Sequence, residues 1–169
     1  VKGAYNHCLA DIWPDYNADW RMQYNMKNRG DVYPTHGLGP VCQLLDIHRG
    51  DRLTRLVAMD SDPVSLPAYL EEHGRAKDAV GFQNGEVTLT LLRTQKGKTI
   101  HIEHNVASLR PYSRLYQLTG TKGFANKYPV EGYALDSKDL PAEVTKDAEF
   151  TAHEYMPEAV KEALMEAYK

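Results

Sequence analysis

The stretch that decides the arrangement of the whole chain runs from residue 33 to residue 40 and reads Tyr33-Pro34-Thr35-His36-Gly37-Leu38-Gly39-Pro40. Two glycines and two prolines in eight residues predict a rigid loop, because neither residue suits the interior of a helix or a strand. Pro34 also biases Tyr33 towards an extended backbone. The sequence therefore predicts that the Tyr33 ring and the His36 imidazole project from a loop of fixed shape.

A buried helix is predicted to follow this loop and to begin at Pro40. Proline suits the first turn of a helix, and Val41 and Leu44 recur at helical spacing behind it. The loop would then place Thr35 and His36 at the N-terminal end of the helix, where unpaired N–H groups favour polar or anionic ligand groups. The alternative is a tight turn in which Thr35 caps the helix and His36 is merely exposed.

Further along the chain, the pattern of apolar residues predicts mostly strands. A strand is expected at the start of the chain over residues 1–8, and another over 53–59. A polar helix is expected over 65–77, with Leu66, Tyr69 and Leu70 on its inner face. The clearest signal is a hairpin over 86–105, where Val87, Leu89 and Leu91 alternate with threonines and Lys96-Gly97 forms the turn. Shorter strands are expected over 115–119 and 128–135, and a terminal amphipathic helix over 155–168.

These elements predict one domain over residues 1–169, of the α+β class. We expect two layers, with four or five strands in a predominantly antiparallel, open β-sheet and helices on one face. The second hairpin strand carries His101, Glu103 and His104, which look superficially like metal ligands. In a strand, however, His104 faces away from the other two side chains, so we expect no metal site there.

The composition excludes several classes of function. The 169 residues carry a net charge of −3, so there is no basic field to hold nucleic acid or an anionic membrane. No apolar run approaches the ~20 residues that span a bilayer. Cys8 and Cys42 do not have metal-site spacing; free thiols are the default expectation and a disulfide is the alternative. The 11 tyrosines suit either a sugar site or a subunit interface.

The sequence resembles glycoside hydrolase family 109, the NAD-dependent α-N-acetylgalactosaminidases within the wider sugar-oxidoreductase (Gfo/Idh/MocA-type) superfamily. The stretches that carry the resemblance are the segment 30–40 with 48–52, then Gly3-Ala4-Tyr5, Trp20-Arg21, the segment 109–114 and the segment 120–123. The likeness covers roughly residues 1–136. It implies that this chain is the C-terminal substrate-binding and oligomerisation half of an enzyme. An N-terminal Rossmann domain, which the resemblance places outside this chain, would hold the cofactor, NAD.

The resemblance also implies a mechanism. The sugar is transiently oxidised at C3, the glycosidic bond leaves by elimination, and the hydride returns. His36 would be the catalytic residue that handles a proton or binds a hydroxyl. Tyr33, Pro34 and Thr35 would shape the pocket, and Arg21 and Tyr112 would bind the sugar. For Arg21, a surface ion pair is the competing interpretation.

Three further expectations follow, the first from the residues themselves and the other two with the resemblance. Residues 9–31 should form an irregular functional loop with Trp13, Tyr16, Trp20 and Tyr24, since a long aromatic loop is often functional. An open sheet should pack against a second copy of the chain, giving a homo-oligomer. The bacterial family suggests a periplasmic or secreted protein, with the cytoplasm as the alternative.

Two other function classes stay open. The first is a sugar dehydrogenase of the same superfamily that releases reduced cofactor. Those enzymes often carry an Asp four residues before the loop histidine, where this chain has Val32. The second is a module that only binds substrate and oligomerises, which we expect of this chain when it is isolated from the cofactor domain. No Gly-x-Gly-x-x-Gly motif follows any predicted strand, so we expect the isolated chain to bind no NAD⁺.

Overall fold

A computed structural model describes residues 1–10, 12 and 20–169 of the chain. The described residues form two compact units, Val1–Arg114 and Leu115–Lys169. Each unit contains strands and helices, and the strands form open, mostly antiparallel sheets. The predicted α+β class with a predominantly antiparallel open sheet is confirmed. None of the described helices is long and apolar enough to cross a membrane.

The first unit contains four strands and four helices in its described part. Its elements are β1 (Lys2–Asn6), α1 (Trp20–Lys27), α2 (Pro34–Leu44), β2 (Leu53–Asp60), α3 (Ser65–Glu72), α4 (Ala76–Ala79), β3 (Thr88–Thr94) and β4 (Thr99–Asn105). The strand order is β2-β3-β4-β1. Strands β2, β3 and β4 are antiparallel neighbours, whereas β1 runs parallel to β4. The predicted hairpin and the predicted strand after residue 53 are confirmed, and the parallel pair was not expected.

The second unit is a meander of three strands followed by short helices. Its elements are β5 (Tyr116–Thr119), β6 (Gly123–Asn126), β7 (Gly132–Leu135), a 3-10 turn (Ser137–Asp139), α5 (Ala142–Thr145) and α6 (Glu158–Ala167). Its core consists of Val144, Phe150, Met156 and Val160. The predicted terminal helix is confirmed, since α6 begins after Pro157. The expected strand over 128–135 is shorter, because only its last four residues pair with β6.

The prediction of a rigid loop over residues 33–40 is wrong, because residues 34–40 lie in helix α2 and Tyr33 directly precedes it. Pro34 occupies the first turn, which needs no N–H donor, and so starts the helix six residues earlier than expected. Pro40 lies inside the helix instead of at its start, and Thr35 lies within the first turn and does not cap it.

Close packing between α2 and β1 explains why this glycine-rich segment is helical. A Cβ atom on Gly3 of β1 would overlap the carbonyl oxygen of Gly37, and a Cβ on Gly37 would lie 3.0 Å from Ile102 Cγ2. The glycines therefore let the helix backbone lie directly against the sheet. The packing energy gained by this close contact outweighs the low helix propensity of Gly.

The prediction of an irregular loop over residues 9–31 is also wrong for the second half of this segment. Residues 20–27 form helix α1, with Met22 and Asn25 buried. Met22 belongs to a core that also contains Tyr5, Leu66 and Leu70. Burial of one helical face thus overrides the weak local pattern. The expectations for Trp13 and Tyr16 fall outside the described residues.

The two faces of the sheet in the first unit differ in how they are covered. On the inner face, Thr88, Thr90 and Thr94 are buried, and Gly3 and Tyr5 of β1 lie on this same face opposite Ile102 and His104. The outer face carries Leu89 and Leu91, which are 45% and 53% exposed. The alternation in β3 was correctly predicted to produce one covered face, and the threonines form that face.

Candidate active site

A cluster of stacked rings lies where the first turn of α2 meets the inner face of β1. The Tyr5 ring is 4.4 Å from the His36 ring and 5.8 Å from the Tyr33 ring, measured between centroids. The rings of Tyr33 and His36 are stacked 5.1 Å apart. The contact between Gly3 and Gly37 brings the helix this close to the strand, so the same packing that shapes α2 assembles the cluster.

Arg21 of helix α1 joins the cluster through the hydroxyl of Tyr33. Its Nη2 and Nε atoms donate to this oxygen at 3.1 and 3.3 Å. The guanidinium carbon also lies 4.4 Å from the centroid of the exposed Trp20 ring. The predicted pair Trp20-Arg21 thus anchors α1 beside Tyr33. A guanidinium and a phenol hydroxyl at one place can bind hydroxyl and amide oxygens of a ligand.

A buried Asp–His pair lies behind the cluster. Asp31 accepts a hydrogen bond from the backbone N–H of Tyr33 at 3.0 Å, and its carboxylate lies 3.7 Å from Nε2 of His104. His104 of β4 has a side chain that is 2% exposed. Burial lowers the pKa of His104 against the pull of Asp31, and the neighbouring His36 lowers it further. As predicted from the sequence, His104 faces away from His101 and Glu103.

His36 itself is only partly accessible, and its environment keeps it neutral. Burial lowers the pKa of His36, the positive charge of Arg114 lowers it further, and the Asp31 carboxylate opposes both effects. A neutral imidazole offers one nitrogen that accepts a proton. At neutral pH, therefore, His36 can take a proton from a hydroxyl group placed beside it.

Tyr112 lies on the other side of Tyr5 from the helix. Its ring is 5.0 Å from His7 in an edge-to-face arrangement, and His7 Nδ1 is 3.4 Å from the Tyr5 hydroxyl. Arg114 places its guanidinium carbon 5.6 Å from the Tyr5 ring and 5.7 Å from the Tyr112 ring. Tyr112 is 42% exposed and so borders the cluster on its open side.

The predicted site residues are partly brought together. Tyr33 contacts both Arg21 and His36. Tyr112 contacts His7 and Arg114, which both lie beside Tyr5. Pro34 and Thr35 are exposed in the first turn of α2. Pro34 lines a separate cavity of about 250 Å³ against the inner face of the sheet.

Three members of the site were not predicted from the sequence: Tyr5, His7 and Arg114. The sequence does contain a signal for Tyr5 and His7. Both alternate with Gly3 along the strand, so the three residues share one strand face. A glycine on that face leaves room for another backbone to approach. Arg114 shares a face with Tyr112 for the same reason.

The chain matches one family model and several known proteins. The model for the family "Glycosyl hydrolase 109, C-terminal domain" matches residues 13–157. The chain is 54% identical to glycosyl hydrolase family 109 protein 1 of Phocaeicola vulgatus and 53% identical to the glycosyl hydrolase family 109 protein of Porphyromonas gingivalis. A protein of the same family from Bacteroides thetaiotaomicron is 52% identical. Each match covers 100% of this chain but 36% of the relative.

Proposed function

The chain belongs to glycosyl hydrolase family 109, and from this premise we propose that it is the substrate-binding half of a glycosidase that acts on α-N-acetylgalactosaminides. The observation that carries the proposal is the position of His36 against two tyrosine rings, beside the Arg21–Tyr33 hydrogen bond. Ring faces suit the C–H face of a sugar, and the polar groups beside them suit its hydroxyl and acetamide oxygens.

The charged groups of the cluster support chemistry that does not use paired carboxylates. Ordinary glycosidases place two carboxyl groups about 5–10 Å apart around the scissile bond. Among the described residues of the cluster, Asp31 is the one carboxylate, and it is engaged by the backbone of Tyr33 and by His104. In our proposal, neutral His36 therefore moves the proton of a sugar hydroxyl, while Arg21, Tyr33 and Tyr112 orient the ring.

The residues of this chain do not fit the pyrophosphate of NAD. The sequence contains a single Gly-x-Gly pair, Gly37 and Gly39, and this pair lies within helix α2 instead of at a turn from strand to helix. Gly37 is also buried against Ile102. We therefore propose that NAD, which the family resemblance implies, is held by residues outside this chain.

The outer face of β2 and β3 supports the proposal of a homo-oligomer. Val57 and Met59 are 68% and 77% exposed and lie directly opposite Leu91 and Leu89. Four large apolar side chains thus form one continuous exposed patch, which is typical of a protein–protein interface. We propose that a second copy of the chain covers this patch.

The full-length protein tests the catalytic proposal. We expect it to cleave an aryl α-N-acetylgalactosaminide in the presence of NAD⁺ without accumulating stoichiometric NADH. Stoichiometric NADH together with an oxidised sugar would instead identify a sugar dehydrogenase. The His36→Ala variant should lose about 10²–10⁴-fold in turnover, since this is the usual contribution of a general acid or base.

A matched control exists on helix α3. His73 also stacks on a tyrosine, with its ring 3.9 Å from that of Tyr69, and it is exposed. His73→Ala removes the same imidazole and a similar ring contact, so it should cost a similar amount of stability but leave turnover intact. If His36→Ala keeps near-normal turnover with a lowered melting temperature, His36 is not part of the catalytic site.

A further inference from the structure

The segment that follows β4 carries a positive charge into the ring cluster. Ser113 pairs with Asn6 of β1 through two backbone hydrogen bonds of 2.9 Å, one in each direction. Its neighbours Tyr112 and Arg114 are two residues apart in this extended segment and therefore project to the same side. The backbone pairing thus holds Tyr112 against His7 and Arg114 against Tyr5.

The guanidinium of Arg114 lies between two rings. Its carbon atom is nearly equidistant from the Tyr5 and Tyr112 centroids, at 5.6 and 5.7 Å. A planar cation at this distance is attracted to the face of an aromatic ring. Tyr5 is buried and fixed by the sheet, whereas Tyr112 is 42% exposed. Arg114 therefore links an exposed ring to an immobile one.

Among the described residues, no carboxylate forms an ion pair with Arg114, and its Nε atom is buried without a hydrogen bond. The residue as a whole is half-buried, so water screens its charge only in part and the charge still acts over several ångströms. The Tyr5 ring, which the guanidinium carbon approaches to 5.6 Å, also lies 4.4 Å from the His36 ring, measured from its centroid.

His36 faces charged and titratable groups from every neighbouring element. These are Tyr5 from β1, Asp31 and Tyr33 from the segment before α2, His104 from β4, and Arg114, while Arg21 from α1 is hydrogen-bonded to Tyr33. Of these, Arg114 lowers the pKa of His36 and Asp31 raises it. Burial is the largest cause of the lowered pKa of His36, and the two charges act on it in opposite directions from different elements.

This inference rests on the proposed function and deepens it. We propose that Arg114 is a positioning residue of the sugar site: its guanidinium contacts the Tyr5 and Tyr112 rings together and so fixes the exposed Tyr112 ring, and its positive charge adds to burial in favouring the neutral, proton-accepting form of His36. Arg114 acts through Tyr112 and His36 and itself makes no contact that the reaction requires. Removing its charge should therefore change the pH dependence of the enzyme as well as its affinity.

The test replaces Arg114 in the full-length protein by Met and by Gln, which remove the charge, and by Lys, which keeps it. The protein is labelled with ¹³C at Cε1 of histidine, and His36 is titrated by NMR after its signal has been assigned with His36→Ala. In both neutral variants we expect the pKa of His36 to rise and the acid limb of kcat/KM to move to higher pH. In the Lys variant both should stay close to wild type.

Binding of free N-acetylgalactosamine, measured by calorimetry, tests the second part of the proposal. Both neutral variants lose the cation that contacts the two rings, so the Kd should rise about tenfold in each, the size of one desolvated cation–π contact. The Lys ammonium is also attracted to a ring face, so the Lys variant should lose less affinity than the neutral variants. If circular dichroism shows a folding defect in one of the two neutral variants, the other neutral variant completes the test.

Two results would overturn the proposal. One is a His36 titration and an acid limb that are unchanged in both neutral variants; the other is a wild-type affinity for the sugar in both neutral variants. A wild-type enzyme that shows no glycosidase activity would instead refute the proposed function. The NMR titration would then still decide whether Arg114 sets the protonation of His36.

Discussion

Replacing Gly3 by Ala should disturb the contact on which the candidate site depends. The added Cβ would overlap the carbonyl oxygen of Gly37 and would lie 3.1 Å from both Ile102 Cδ1 and Val41 Cγ2. The side-chain atoms can move by rotation about their bonds, but the carbonyl oxygen belongs to the backbone of helix α2. The helix itself must therefore shift to accommodate one methyl group.

Overpacking of this kind costs about 1–3 kcal/mol of unfolding free energy. For a protein of this size, each kcal/mol lowers the melting temperature by about 2–4 °C, so Gly3→Ala should melt roughly 2–12 °C below wild type. Because α2 carries His36 and β1 carries Tyr5, displacement of the helix should also increase the 4.4 Å separation of these rings. Turnover of the full-length enzyme should therefore fall at temperatures where the variant is still folded.

Gly39→Ala is the matched control in the same helix. A Cβ at Gly39 meets no atom within 4 Å, and its backbone φ lies outside the left-handed region. Alanine there gains helix propensity without a clash, so it should stabilise the protein by about 0.5–1 kcal/mol. Thermal unfolding followed by circular dichroism measures both variants. If Gly3→Ala melts with wild type, or if Gly39→Ala is the more destabilised of the two, the argument from close packing is wrong.

Three further predictions concern the rest of the chain. Burial alone would raise the pKa of Asp51, but hydrogen bonds from Thr94 and from backbone N–H groups lower it to about 2. The ionised carboxylate therefore stabilises the folded protein fully above the unfolded pKa of 3.8, and this contribution is lost as the pH falls towards 2. Acid unfolding of Asp51→Asn should accordingly depend less steeply on pH between 4 and 2 than that of wild type. Asn84 donates to the Asn25 side chain at 2.6 Å in the interior, so Asn84→Ala should cost about 1–3 kcal/mol in a urea titration; an unchanged midpoint would contradict this. Met59→Lys should turn the oligomer into a monomer in sedimentation, and a wild-type protein that is already monomeric would refute the proposed interface.

The strands were predictable because their signals are local. Alternation and a Lys-Gly turn specify the hairpin of β3 and β4 within about twenty residues, and these elements lie where the sequence places them. The short motif around His36 likewise identified Tyr33 and His36 as candidates, and Trp20-Arg21 added Arg21 through the family resemblance. In the structure, Tyr33 contacts both Arg21 and His36. Their catalytic and binding roles stay predictions for the kinetic tests above.

The structure of residues 33–40 was not predictable from local sequence. Taken alone, two prolines and two glycines favour a loop, and a helix forms only because Gly3, some thirty residues earlier, admits its backbone. Helix α1 was not predicted for the same reason. Its local sequence pattern is weak, and its stability comes from burying Met22 in a core formed by distant residues. Which face of β3 is covered was decided in the same way, by α2 packing on the side of its threonines.

The sequence by itself determined the residue types of the site, their order and the family, because these are properties of short stretches. Tertiary structure alone decided which of those residues meet. Arg114 lies 109 residues from Tyr5 along the chain, and no spacing rule connects them. They meet because β1 pairs in parallel with β4 and the segment after β4 returns to pair with Asn6. Contacts of this kind depend on strand pairing over long distances, and the free energy that selects one pairing comes from the whole packed core.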